Sequence, residues 1–160
     1  MRAAVTGHQP HLLGGFGEDV AHRLRALARR WIQRSQPGEV ICGMAPGWDL
    51  AMAEAALDER VPLVAALAWP DQGHNWPEDA RRHLRALLER AATVHVAFPK
   101  RTPDMWTLRD RWVLERGDHV VALWSGEDGG TARAVAHARE LGRPVENLWA
   151  EWCADLPRQG

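Results

Sequence analysis

Val40-Ile41-Cys42-Gly43-Met44-Ala45-Pro46-Gly47-Trp48-Asp49, running on into Leu50-Ala51-Met52-Ala53-Glu54-Ala55-Ala56-Leu57, is the stretch whose reading decides the fold. Val40-Ile41-Cys42 is a short apolar strand, Gly43 and Gly47 bracket a tight loop, and from Asp49 to about Arg60 alanines and leucines recur at helical spacing. A strand that turns on glycine into a helix offers bare backbone N–H groups to an anion. The same grammar occurs twice more. Thr6-Gly7-His8-Gln9-Pro10 follows Ala3-Ala4-Val5-Thr6, and Ser125-Gly126-Glu127-Asp128-Gly129-Gly130-Thr131 follows the apolar run 119–124.

Between these turns, strand and helix patterns alternate. Helices are predicted over about 19–33, 49–60, 78–91, 105–115 and 131–141, with Pro77 at a first turn and Gly142 as a C-terminal stop. Strands are predicted at 3–6, 40–42, 63–67, 93–97, 119–124 and 145–148. Alternation without a long linker implies an α/β protein: a three-layer, Rossmann-like, mostly parallel sheet of about six strands with helices on both faces. Ligands of such sheets bind beyond the carboxyl ends of the strands, where all three glycine turns lie, so one cleft is expected to collect them.

Composition bounds the rest. The chain of 160 residues fits one domain, 1–160. The net charge of −1 supplies no global basic field for nucleic acid, and the arginines at 23, 25, 29 and 30 fall on a helical pattern that reads as a solvated face. Cys42 and Cys153 have no metal-type spacing, and no signal peptide or long apolar run is visible, so the expectation is a cytoplasmic protein that does not enter a membrane. Nine tryptophans and no tyrosine is an odd balance; Trp31, Trp112 and Trp149 read as packing residues.

Residues 42–49 with Ala53-Glu54-Ala55-Ala56-Leu57 resemble the signature of the SLOG superfamily, which includes DNA-processing protein A and the "lonely guy" phosphoribohydrolases. The chain is most similar to the small stand-alone YpsA-like branch. That resemblance is carried by residues 6–10, Leu13-Gly14-Gly15, Arg109-Asp110-Arg111-Trp112, Ala122-Leu123-Trp124, Gly129-Gly130-Thr131-Ala132 and Gly142-Arg143-Pro144-Val145. It implies a nucleotide, or a nucleotide-derived sugar phosphate, as ligand. Gly129, Gly130 and Thr131 would form the phosphate nest, and Gly7, His8 and Gln9 with Gly43, Met44, Ala45, Gly47 and Asp49 would flank ribose and base. It also implies pairing into a homodimer through helices.

Two departures bear on chemistry. The phosphoribohydrolases carry a glutamate three residues after the Gly-Thr of this turn, whereas Thr131 is followed by Ala132, Arg133 and Ala134. Gln9 stands where the near family usually has arginine, which removes a bidentate phosphate clamp. The remaining catalytic candidates are His8, Asp49 and Glu54. His8 reads either as a proton-transfer group or as a structural histidine shaping its turn. Asp49 reads as a helix N-cap, a ligand contact, or both. Asp71, Asp104 and Asp110 are further carboxylates in or near loops, while Asp71, His74 and His83 lack a metal-ligand spacing. Trp69 or Trp76 is placed to stack on a base, with Asn75 to read its edge, unless these rings merely pack.

The leading expectation is therefore a nucleotide-binding module, of the kind that senses a nucleotide signal. The alternative is a hydrolase or transferase acting on an N-glycosidic bond. Single-stranded DNA handling is weaker, because the net charge opposes it.

Overall fold

The computed structural model describes residues 1–155. The six expected strands are present as β1 (Arg2–Gly7), β2 (Glu39–Cys42), β3 (Leu63–Leu67), β4 (Thr93–Val96), β5 (His119–Leu123) and β6 (Val145–Asn147). They form one sheet in the order β4-β3-β2-β1-β5-β6, and every pairing is parallel. The chain thus walks outward from β1 to β4, crosses back, and resumes beside β1 with β5. That reversal puts the switch point between β1 and β5, where the first and third glycine turns emerge.

Five long helices connect the strands: α1 (Glu18–Ser35), α2 (Trp48–Asp58), α3 (Glu78–Arg90), α4 (Met105–Arg116) and α5 (Gly130–Glu140). On one face α1, α2 and α3 bury Leu24, Leu27, Trp31, Met52, Ala56, Leu84 and Leu87 against the sheet. On the other, α4 and α5 bury Val113, Leu114, Ala134 and Ala138 over Ala4, Ile41, Val64 and Val120. β3, covered on both faces, is buried at all five positions and reads as an unbroken apolar run. The edge strand β4 keeps Val94 and Val96 exposed.

Two elements go beyond the sequence reading. A 3-10 turn at Pro10–Leu12 begins on a proline, whose fixed φ suits a first helical position. A short helix, α6 (Trp149–Ala154), follows β6 and buries Trp152 beneath the Arg23 guanidinium, 3.9 Å from its ring. Of the three tryptophans read as packing residues, Trp31 is fully buried and donates to Glu146 Oε1 at 3.0 Å. Trp112 stacks on His95 with ring centroids 3.9 Å apart, and Trp149 packs against the main core. No helix among the described residues is long and apolar enough to cross a membrane.

Candidate functional site

The carboxyl ends of the strands open onto one broad cavity of about 1020 Å³. Its floor is the junction of the three glycine turns, and specific bonds hold that junction. His8 N–H donates to the Leu123 carbonyl at 3.0 Å, and Trp48 N–H donates to the His8 carbonyl at 3.3 Å. The His8 ring closes the link: Ser125 N–H donates to Nε2 at 2.9 Å, with the Ser125 hydroxyl also 2.9 Å away. A backbone N–H can only donate, so Nε2 is the bare nitrogen and the proton sits on Nδ1. Burial pushes the His8 pKa down, partly opposed by Glu127, which matches a neutral ring. His8 is 4% exposed and serves as the tie between the first and third turns.

The first two turns use their glycines for internal packing. A Cβ on Gly7 would lie 2.5 Å from the Trp48 ring, and one on Gly43 would lie 2.5 Å from the Arg109 guanidinium carbon. Gly47, at φ +93°, sits against the His8 carbonyl, 2.6 Å from where a Cβ would be. The space that glycine opens at these positions is therefore taken by tryptophan, arginine and main chain. Met44, in the left-handed region at φ +60°, is fully buried with its sulfur 3.4 Å from Cys42 Sγ. Of the twelve expected binding residues, Gly43, Met44 and Gly47 lie outside the cavity lining, while Gly7, His8, Gln9, Ala45, Asp49, Trp69, Gly129, Gly130 and Thr131 belong to it.

The third turn is different. Glycines 126 and 129 have φ of +96° and +145°, and a Cβ on either would meet nothing within 4 Å. α5 begins at Gly130 with no side-chain cap, so its first N–H groups have no partner from the helix itself. Gly129, Gly130 and Thr131 all line the cavity. Arg133, on the first turn of α5, brings its guanidinium 3.9 Å from the Cβ direction of Gly130.

The carboxylate candidates separate. Asp49 occupies the second position of α2, two places beyond the cap, which is Gly47. Its Oδ2 accepts the Ala45 N–H at 3.3 Å and ties the loop back onto the helix, so the N-cap reading gives way to a loop clasp. Burial, with Asp110 adding to it against Arg109, pushes its pKa up to about 7. Glu54 is turned away from the cleft: it lies outside the cavity lining, 3.5 Å from His83 Nε2 on the neighbouring α3. Of the three catalytic candidates, His8 and Asp49 line the cavity and Glu54 does not.

Two residues that the sequence reading did not assign to the site, Arg109 and Gln72, organise its far side. Arg109 is 4% exposed; its Nη1 donates to the carbonyls of Gly43 and Ala66 and to Gln72 Oε1, and its Nε pairs with Asp110 at 2.7 Å. Gln72, 6% exposed, accepts the Ala68 N–H at 2.8 Å and donates to the Gly43 carbonyl at 2.8 Å, fastening the loop after β3 onto the second turn. Only the quoted Arg109-Asp110-Arg111-Trp112 segment hinted at this; an arginine or glutamine in a polar stretch otherwise reads as solvated. Beyond them the wall carries Trp69, edge-on to His74 at 5.5 Å, then Trp76 and Trp106.

A doubly wound parallel sheet with glycine turns at the carboxyl ends of its strands is a Rossmann-like fold. No protein-family model matches the chain. It is similar to a UPF0398 protein of Bacillus cereus, 28% identical over 156 residues, covering 90% of this chain and 85% of that one. Its fold is similar to that of DNA processing protein A from Helicobacter pylori, described with a single-stranded DNA binding mode, at a TM-score of 0.67 and 14% identity. That likeness covers 92% of this chain but 64% of the H. pylori chain, so this chain spans just under two thirds of that protein's length. It is also similar to the Moco carrier protein of Chlamydomonas rheinhardtii, at a TM-score of 0.51 and 16% identity, covering 92% of this chain and 75% of the other.

Proposed function

We propose that the cavity binds a nucleotide or a nucleotide-derived sugar phosphate, as a ligand-sensing module working in the cytoplasm. The open third turn carries this reading. Its amides are uncapped and its glycines face empty space, while the glycines of the other two turns are packed. In this reading the phosphate sits at the start of α5, held by the N–H groups of Gly130 and Thr131, the Thr131 hydroxyl and Arg133. Glu127, Asp128 and Glu140 also line this end of the cavity. Carboxylates repel a bare phosphate but accept from sugar hydroxyls, so the mixture suits a sugar phosphate better than an inorganic ion. Cys42 and Cys153 are unpaired, which fits a reducing compartment.

Thermal denaturation against AMP, ADP and ADP-ribose tests it. A ligand at about 100 times its Kd stabilises the folded state by about 2.7 kcal/mol, a readily measured rise in Tm. The double variant Thr131→Ala/Arg133→Ala is expected to lose most of that rise with little change in the Tm of the free protein. A panel that leaves the Tm of the native chain unmoved would sink the reading.

A second reading is single-stranded DNA in the same cavity, supported by the fold shared with the H. pylori protein and by the arginines on the rim. Its signature is oligonucleotide affinity that falls steeply as salt is raised. Affinity indifferent to salt, or none at low salt, would exclude it.

A further inference from the structure

Three arginines of the cavity wall, Arg101, Arg111 and Arg133, make no ion pair or side-chain hydrogen bond among the described residues. Arg25, Arg29, Arg30, Arg34 and Arg109 pair with carboxylates, and Arg60, Arg81, Arg82, Arg85, Arg90 and Arg139, outside the cavity lining, are without such a partner among the described residues. The three cavity arginines come from two different stretches of the chain. Arg133 stands on α5, after β5, whereas Arg101 and Arg111 flank and follow the start of α4, after β4. In the sheet order, β5 lies three strands from β3 and four from β4. The loop after β3 is thus about 14 Å of sheet from β5, whereas α4 packs over β1, β2 and β3 and beside α5, one helix spacing, roughly 8–10 Å, away.

The end away from α5 has the chemistry of a stacking platform. Trp69 and Trp76 come from the loop after β3, and Trp106 from the first turn of α4. Trp76 packs partly into the core. Trp106 has no such role: of the nine tryptophans it alone is exposed, at 42%, and the Arg109 guanidinium lies 5.6 Å from its ring. A large exposed aromatic beside unpaired arginines is how proteins stack bases and hold the phosphates between them. The cavity's 1020 Å³ also stands at the upper end of the roughly 300–1,000 Å³ that small-molecule sites occupy.

We propose that Trp106, with Trp69, Arg101 and Arg111, forms a second nucleotide subsite, so that the ligand carries two nucleotide units joined through phosphate. This rests on the nucleotide reading of the α5 end and extends it. The linkage is either the pyrophosphate of a soluble dinucleotide or the phosphodiester of a single strand; both offer two bases and a bridging anion.

Titration calorimetry of the full chain separates these cases, using AMP, diadenosine diphosphate, the 3′–5′-linked dinucleotide pApA and a short oligo-dT strand. At least one two-unit ligand is expected to bind tenfold or more tighter than AMP. Trp106→Ala, at an exposed position, should bring that ligand down to the affinity of AMP while leaving AMP itself and the Tm of the free protein unchanged. Arg101→Ala should do the same to a smaller degree. Preference for diadenosine diphosphate identifies a soluble dinucleotide, and preference for pApA and oligo-dT identifies a strand. If AMP binds and no two-unit ligand binds more tightly, the second subsite is overturned and the mononucleotide reading stands. If none of the four binds, both fall.

Discussion

Gly43 has no Cβ because Arg109 needs the space. The guanidinium lies against the turn and donates to the Gly43 carbonyl, and so does Gln72. Gly43→Ala is therefore expected to destabilise the fold by about 1–3 kcal/mol, the usual range for forcing atoms into a packed site, read from urea denaturation. An unchanged midpoint would mean that the guanidinium moves aside freely. This residue also shows the limit of sequence reading: glycine spacing located the turn, but which partner fills the hollow depends on α4, more than sixty residues away. Asp49 makes a pH prediction at the same scale. Its folded pKa is raised to about 7, chiefly by burial, so its carboxyl contributes most below the unfolded value and that contribution fades as pH rises to about 7. Each unit of such a shift is worth about 1.4 kcal/mol. Asp49→Asn should flatten the stability profile between about pH 4 and 7 and match or exceed the native chain at pH 8. A mutant profile as steep as the native one would refute the assignment.

Elements were more legible than sites, because periodicity is local and a cleft is not. β3 and the start of α3 fall where the apolar runs and Pro77 put them, and other boundaries move by a few residues at most. α6 escaped detection because six residues following a strand cannot display a helical period. Yet α6 belongs to a polar tie that closes the amino-terminal side of the sheet. Arg34 on α1 bonds both Glu151 of α6 and Glu146 of β6, while Glu146 also accepts from Trp31 and His119. Burial alone would raise the Glu146 pKa, but the hydrogen bonds from Trp31, His119 and Arg34 outweigh it and hold the pKa below the usual glutamate value. The depressed pKa means that its contribution is present above the unfolded value of about 4.5 and is lost as pH falls below that. Glu146→Gln should lower the Tm at pH 7 and remove part of the loss of stability on acidification; equal Tm values at pH 7 would dismiss the tie.

At the scale of the whole molecule, the cleft exists because one neutral imidazole joins turns from β1 and β5, the two strands on either side of the switch point. Protonating His8 places a hydrogen on Nε2, directly against the Ser125 N–H that donates to it. Burial is the chief cause of the lowered His8 pKa and His11 adds to it, against an opposing pull from Glu127. Stability from His8 is complete above the unfolded value of 6.5 and is lost as pH falls from there toward the lower folded one. Because the third turn hangs on the same bond, ligand affinity must fall over the same window if the α5 end binds the phosphate. His11, His74 and His137 also line the cavity, and a phosphate ligand titrates near pH 6, so the native profile alone decides nothing. The comparison with His8→Gln does. A glutamine carbonyl can accept the Ser125 N–H but has no proton to gain, whereas the other histidines and the phosphate behave alike in both proteins. Calorimetry with AMP between about pH 7.5 and 5 is thus expected to show a steeper loss of affinity in the native chain than in the variant, matched by a steeper fall in Tm. Parallel affinity profiles with diverging Tm profiles would detach the third turn from the ligand, and parallel profiles in both would remove His8 from its place at the junction.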